Sequence, residues 1–193
     1  MTINRQEAEA VYTQADLLHS RQAVDAALDR MALAISAQLG DTNPLVLCVM
    51  IGGLIPAGSL LARLDFPMQI DYIHATRYRG NTQGGTLRWI AKPACSMKDR
   101  VVLLIDDILD EGITLAAIID ECKADGAQAV HTAVLVEKLH DRKNGLRATF
   151  KGLDVEDRYV FGYGMDYKGY LRNAPGIYAV ADGMLNKDHT LAP

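Results

Sequence analysis

Two rhythms of apolar residues run along this chain. In the first, Val24, Leu28, Met31, Ile35 and Leu39 recur at steps of three or four residues, which aligns them as one stripe on a helix, and Ser20 ahead of them is a good cap for its first turn. Residues 5 to 39 read as helical on this basis. In the second, apolar residues follow one another without alternation, as in Leu45 to Met50 and Val101 to Ile105. Short unbroken runs of this kind suit strands covered on both faces, the situation in a parallel sheet. Ala129 to Val136 reads as a further buried strand. Between the runs, Gly52-Gly53 leads into Pro56 to Leu64, and Leu115 to Ala124 is closed by Gly126. Both segments read as helices, one opening with a proline in its first turn and the other stopped by a glycine.

Phe66 to His74 and Thr86 to Ile90 alternate in part and read as more exposed strands. The segment between them, Ala75 to Gly85, is polar and glycine-rich, the composition of a mobile loop. Asp141 to Gly152 reads as a charged linker, Arg158 to Gly162 as a short strand and Ile177 to Val180 as a last one. Strands alternating with helices predict an α/β fold with an open, mainly parallel sheet and helices on both faces. A chain of 193 residues fits one such domain, residues 1 to 193. Ligands bind such sheets beyond the carboxyl ends of the strands, which directs attention to the segments after Met50, Ile105 and Val136.

Composition excludes more than it assigns. A formal net charge of -4 and a pI near 5.7 argue against a dedicated surface for nucleic acid or anionic membrane, which is usually a clustered basic excess. Cys48, Cys95 and Cys122 are odd in number and lack metal-ligand spacing, so inert thiols in a reducing cytosol are expected rather than a disulfide framework or a zinc site. Met1 to Glu7 is polar, unlike a secretory signal, and the longest apolar stretch, Leu45 to Ala57, is interrupted by Gly52, Gly53 and Pro56. A cytoplasmic protein without membrane contact is expected. His19, His74, His131, His140 and His189 show no ligand spacing and read as structural or surface residues.

The chemistry concentrates in Asp106-Asp107-Ile108-Leu109-Asp110-Glu111-Gly112-Ile113-Thr114, expected as the loop after the strand Val101 to Ile105. Gly112 admits backbone conformations closed to other residues, and the amides from Glu111 to Leu115 would converge at a helix N-terminus, where free N–H groups and the helix dipole stabilise a phosphate. Thr114 would add a hydroxyl. Three carboxylates repel a phosphate unless something cationic or hydroxylic stands between them. A ribose phosphate with magnesium meets that demand: Asp106 and Asp107 would accept hydrogen bonds from the 2- and 3-hydroxyls and hold the ion through water, leaving Asp110 free for proton chemistry. Taken alone the three acids fit an ordinary acidic helix entry equally well. Gly112 and Thr114 in register favour function.

The segment Val102 to Leu115 resembles the ribose-phosphate signature of the type I phosphoribosyltransferases. The order of the other segments over roughly residues 20 to 185 resembles their hypoxanthine-guanine branch, carried by Leu135-Val136-Glu137-Lys138 and by Arg158 to Tyr167. The resemblance implies a small hood built from the chain ends, with a base-binding segment at about 154 to 185. It implies transfer of 5-phosphoribose from 5-phosphoribosyl 1-pyrophosphate (PRPP) to N9 of hypoxanthine or guanine, with xanthine a third candidate, and Mg2+ as cofactor. Asp110 would be the proton acceptor near the purine N7, Lys138 would contact the 6-oxo group, Tyr159 would stack on the base and the Val160 backbone would read its edge. Arg172 would contact pyrophosphate, and Asp166 would bind a second magnesium beside it, so that Asp106, Asp107 and Asp166 form the metal-binding set. Glu111, Gly112, Ile113 and Thr114 would hold the 5-phosphate and Gly52 and Gly53 the pyrophosphate. Arg77 and Tyr78 belong to the loop at about 75 to 86, implied to be a flap over the reacting groups. Dimers or tetramers are implied, with no nucleic-acid partner. Adenine is disfavoured because the Lys138 ammonium is a donor and matches a 6-oxo acceptor rather than an amino group.

The chain also departs from the family's pattern. Met50-Ile51-Gly52-Gly53 stands where Leu-Lys-Gly-Gly is common, which leaves pyrophosphate to backbone groups, and sequence does not decide whether the Met50–Ile51 peptide is cis, as in many relatives. Glu111 replaces the more usual threonine and is expected to face solvent; Arg158 replaces a lysine near the base. Two other classes compete. A non-catalytic regulator would keep the site as a PRPP sensor and bind nucleic acid through residues such as Arg77, Arg79, Arg142 and Lys143. A receiver-like signalling domain would need its acidic pair near the chain start and a phosphoacceptor one strand later, an order this chain lacks.

Overall fold

The computed structural model describes residues 4–77 and 87–184. In chain order the elements are α1 (Arg5–Gln14), β1 (Asp16–His19), α2 (Arg21–Leu39), β2 (Leu45–Met50), α3 (Leu54–Leu61), β3 (Gln69–Arg77), β4 (Leu87–Ala91), β5 (Val101–Leu109), α4 (Ile113–Ala124), β6 (Ala129–Leu139), β7 (Phe150–Glu156), β8 (Val160–Phe161) and β9 (Ile177–Ala179). Six strands form the central sheet in the order β4-β3-β2-β5-β6-β7, parallel except for β4, which runs antiparallel to β3. From β2 the chain moves outward to β3 on one side, and from β5 outward to β6 and β7 on the other. The crevice between the carboxyl ends of β2 and β5 is therefore a topological switch point, where loops diverge and leave room for a ligand.

The unbroken apolar runs are explained by burial on both faces. Leu45, Leu47 and Val49 of β2 and Val102 and Leu104 of β5 pack with Leu115, Ile118, Ile119 and Cys122 of α4. Val46, Cys48, Leu103 and Ile105, alternating with them, pack with the α2 stripe Val24, Leu28, Met31, Ile35 and Leu39 and with Ala57 and Leu60 of α3. Ser20 caps α2 as expected, its hydroxyl accepting the Ala23 N–H at 3.3 Å. The expected α/β architecture is thus present, with helices on both faces of a mainly parallel sheet. A second, antiparallel sheet, β1-β9-β8, joins the two chain ends. It rests on α1 through a core of Ala8, Val11, Phe161, Tyr167, Ala174 and Val180.

Several boundaries differ from the sequence reading. Strand β1 interrupts the helical stretch of residues 5 to 39; four residues carry no periodicity, and Asp16 and Leu17 are extended because they pair with Ala179 and Tyr178 far along the chain. Strand β7 occupies the end of the segment read as a charged linker. It is an edge strand whose Phe150 and Val155 are buried while Lys151, Asp154 and Glu156 are exposed, the charged pattern by which edges avoid further pairing. Strand β3 continues to Arg77, so Ala75 to Arg77 is strand rather than loop. Strand β5 runs on to Leu109, because its pairing with β6 continues through Asp106↔Val134 and Ile108↔Val136. Asp106 and Asp107 are consequently held on a strand, not in the loop after it. No helix among the described residues is long and apolar enough to cross a membrane.

Candidate active site

A cleft of about 980 Å³ opens over the carboxyl ends of β2, β5 and β6, walled by residues of the second sheet's side such as Tyr159 and Arg172. The turn after β2 forms its floor. The Met50–Ile51 peptide bond is cis, and Gly53 N–H donates to Val49 O at 2.8 Å. Both glycines are required by close approach. A Cβ on Gly52 would lie 2.2 Å from Asp107 Oδ2, and one on Gly53 would lie 2.5 Å from Ile105 O.

The acidic pair faces this turn from β5. Asp106 Oδ1 accepts the Asp107 N–H at 2.9 Å, and Asp107 Oδ1 accepts the Ile108 N–H at 2.8 Å. Asp107 is 8% exposed, and Asp106 is half-buried. Burial, and then the charge of Asp107, pushes the Asp106 carboxyl well above the usual carboxylate range. Burial also raises Asp107, partly offset by its bond with Asp106 and by the Arg172 charge. Arg172 Nη1 is 3.8 Å from Asp107 Oδ2, but the guanidinium is shared, with Nη2 2.5 Å from Asp166 Oδ1 and Nη1 donating to Gly164 O at 2.5 Å. Asp166 also accepts the Gly169 N–H at 2.6 Å. The acids are thus under-compensated and suited to hydroxyl donors or a cation.

Gly112 opens α4 with φ +82°, and a Cβ there would meet Asn144 Oδ1 at 2.6 Å. The first helical bond runs from Ala116 N–H to Gly112 O at 2.9 Å, so the amides of Ile113, Thr114 and Leu115 emerge at the helix end toward the cleft. Free amides at a helix start are donors of the kind that stabilise an anion. Glu111 is half-buried on the cleft wall, and its carbonyl accepts the Asn144 N–H at 3.1 Å.

Asp110 is not left free. Lys138 Nζ lies 3.0 Å from its Oδ2, and His140 Nε2 lies 2.6 Å from its Oδ1. Burial would raise this carboxyl, but the hydrogen bonds from Lys138 and His140 and the lysine charge outweigh it and hold Asp110 below the usual range. Lys138 is also 3.8 Å from Asp157 Oδ1, and Arg142 grips Asp157 with two bonds of 2.7 and 3.0 Å. His140, read from the sequence as structural or surface, is thus a nearly buried side chain bonded to Asp110, a partner its sequence context was not read to give it. Its signal was its position two residues after Lys138 at a strand end, where alternation returns a side chain to the same side.

Tyr159 lines the cleft, meets Tyr167 edge-on at 5.3 Å and 67°, and its hydroxyl accepts the Lys168 N–H at 3.4 Å. Val160 is buried, paired with Ala179 in the second sheet. Arg158 lies on the cleft wall with its guanidinium tied to Asp16 and donating to Val180 O at 3.0 Å, so its charge is directed to β1. Arg77 ends β3; its side chain, Tyr78 and the rest of the expected flap lie outside the described residues. Of the basic residues a nucleic-acid patch would draw on, Arg142 is bound to Asp157 and Lys143 pairs with Glu137.

Known proteins are similar to this chain over most of its length. The phosphoribosyl transferase domain family matches residues 14–168. The hypoxanthine-guanine phosphoribosyltransferase of Bacillus subtilis (strain 168) is 28% identical over 162 residues, covering 83% of this chain and 90% of that protein. The same-named enzyme of Staphylococcus aureus (strain Mu50) is 33% identical over 138 residues, 70% of this chain and 76% of that protein. Among solved structures, a hypoxanthine-guanine phosphoribosyltransferase from Bacillus anthracis has a TM-score of 0.78 at 25% identity, covering 86% of this chain and 97% of that one.

Proposed function

The chain belongs to the phosphoribosyl transferase family, and from that premise we propose that it transfers 5-phosphoribose from PRPP to N9 of hypoxanthine or guanine, releasing pyrophosphate in purine salvage. One observation carries the reading: the acidic pair Asp106 and Asp107, the N-terminus of α4 and the Asp110–Lys138 pair line one cleft. The α4 amides and the Thr114 hydroxyl hold the 5-phosphate, and the backbone of the Gly52-Gly53 turn holds pyrophosphate. Asp106 and Asp107 accept from the ribose hydroxyls, which relieves the desolvation that raises their carboxyls. Tyr159 stacks on the base, the Val160 backbone meets its edge, and Lys138 donates to its 6-oxo oxygen. The N9 lone pair then bonds to C1, the C1–O bond breaks with its electrons leaving on pyrophosphate beside Arg172, and the N7 proton passes to Asp110. Holding base and sugar in line, and countering charge on the leaving group, supply the rate enhancement.

Mg2+ fits the donor set. Among the described residues no cluster of three His, Cys, Asp or Glu side chains is arranged to hold a metal alone, and Mg2+ is ordinarily held by one or two carboxylates together with substrate phosphates and water. Asp106, Asp107 and Asp166 would supply the carboxylates, and the ion would supply positive charge against pyrophosphate. A cytoplasmic location and a dimer or tetramer, measurable by light scattering, belong to the same reading. So do one domain over the chain and a base-covering segment from about residue 154. The test is pyrophosphate release with PRPP, Mg2+ and each base in turn. Release is expected with hypoxanthine or guanine, with xanthine as a third arm. No release with any oxopurine would sink the enzyme assignment, and faster release with adenine or a pyrimidine would sink the subclass.

A further inference from the structure

His140 is engaged at both ring nitrogens. Nε2 lies 2.6 Å from Asp110 Oδ1, and the Arg142 backbone N–H donates to Nδ1 at 3.1 Å. A ring nitrogen that accepts from an amide carries no proton, so these contacts place the imidazole proton on Nε2, where it is donated to the carboxylate. The His140 side chain is 4% exposed, against 13% for Lys138 and 41% for Asp110. Asp110 thus has two partners of different kinds. His140 is enclosed and locked by the backbone at Arg142. Lys138 reaches Oδ2 on a long stem from the cleft wall, with Asp157 Oδ1 3.8 Å away as an alternative partner.

We propose that His140 is a positioning residue: as a neutral Nε2–H donor it fixes Oδ1 of Asp110, so that Oδ2 faces the purine ring N–H in one orientation once the base draws Lys138 away. The inference rests on the phosphoribosyl transfer reading above and adds a residue and a division of labour to it. In the substrate-free protein both Asp110 oxygens are covered. The 6-oxo oxygen of the base takes the lysine ammonium and uncovers Oδ2, while the histidine bond persists and prevents the carboxylate from rotating. A base without an acceptor at that position leaves the Asp110–Lys138 pair closed.

The test uses the full chain, three substitutions at His140 and one at Asp110. His140→Leu fills the space without a donor, His140→Ala removes the side chain, and His140→Gln keeps an N–H near the place of Nε2. Removing one charge-assisted hydrogen bond should lower kcat by roughly 10- to 100-fold in the leucine and alanine variants. KM for PRPP should stay within about twofold, because hydrogen bonds of this size are lost only on the base side of the cleft. His140→Gln should recover most of kcat. Nitrogen-15 spectra of the wild-type imidazole should show the Nε2–H tautomer, and Asp110→Asn should shift them. A leucine variant with wild-type kcat, or a proton on Nδ1, would overturn the proposal. Equal losses of kcat and melting temperature in the leucine and glutamine variants would also overturn it, by making the role one of packing. Wild-type protein that releases no pyrophosphate with any oxopurine would overturn the transfer reading and the positioning role with it; the tautomer, read without turnover, keeps that failure distinct from a wrong hydrogen-bond assignment.

Discussion

Replacing Gly52 by alanine tests whether the turn after β2 is glycine so that Asp107 can sit against it. The new Cβ would lie 2.2 Å from Asp107 Oδ2, 2.5 Å from Cγ and 2.7 Å from Oδ1. The shortest of these is about 1.2 Å inside ordinary carbon–oxygen contact. Gly52 lies outside the left-handed region, so the alanine backbone is unstrained there and the cost falls on the carboxylate. Asp107 has little freedom to retreat, since Oδ1 holds the Ile108 N–H at 2.8 Å and Oδ2 faces Arg172 at 3.8 Å. Displacement forfeits a hydrogen bond to a charged group, about 1.5–3 kcal/mol, and misplaces a proposed ribose-holding group by about the 1 Å that costs roughly 100-fold in rate. The stability loss is smaller than that bond alone suggests, because the displaced charge leaves a site that desolvates it. We expect kcat/KM for PRPP, measured by pyrophosphate release at varied PRPP, to fall about 100-fold with a modest drop in melting temperature. In an Asp107→Ala background there is no carboxylate to displace, so Gly52→Ala should change PRPP binding, measured by calorimetry, by less than about 0.5 kcal/mol. An equal penalty in both backgrounds would refute the reasoning.

Asp110→Asn should lower kcat by roughly two to four powers of ten, the range for a lost general base, with PRPP binding by calorimetry nearly unchanged; an unaltered rate would move the proton acceptor elsewhere. Asp107→Asn should raise the melting temperature of the ligand-free protein at pH 7, each kcal/mol gained appearing as roughly 2–4 °C. The sign follows from the raised carboxyl: its stabilising contribution is complete below the unfolded value near about 3.9 and is lost as pH rises through the folded value. The variant's advantage should therefore grow from pH 4 to pH 7, and a pH-independent difference would count against it. Asp110 has the opposite sign, since its lowered carboxyl contributes stability above about 3.9 that is lost as pH falls through the folded value. The deficit of Asp110→Asn in thermal melts should shrink on acidification. Phe161→Ala, at a fully buried position in the second sheet, should cost about 3–5 kcal/mol in denaturant unfolding.

Where a property depends on neighbours in sequence, it was legible. Helix α2 announced itself because a stripe at three- and four-residue steps meets a flat sheet, and β2 and β5 because strands covered on both faces have no reason to alternate. Gly112 was legible because a left-handed helix entry is a local constraint. Strands β1 and β7 were not. Four residues of β1 and the half-charged β7 are extended only because β9 and β6 supply their hydrogen-bond partners. The extent of β5 was misjudged for the same reason, since pairing with β6 rather than composition carries it to Leu109.

The site divides along the same line. Sequence alone determined which side chains and amides are available: Asp106, Asp107 and Asp110 ahead of a glycine-opened helix, with a lysine at the end of a later strand. The tertiary structure decided how they are spent. Parallel pairing of β5 with β6 brings Lys138 to Asp110 from 28 residues away, and the turn beyond β6 sends His140 in beside it. Burial beneath the Gly52 turn, with Arg172 shared among Asp107, Asp166 and Gly164, raises Asp106 and Asp107 while two donors lower Asp110. Three aspartates within five residues thus differ in proton affinity, because desolvation and partner distance are properties of the fold and are written at no single position of the chain.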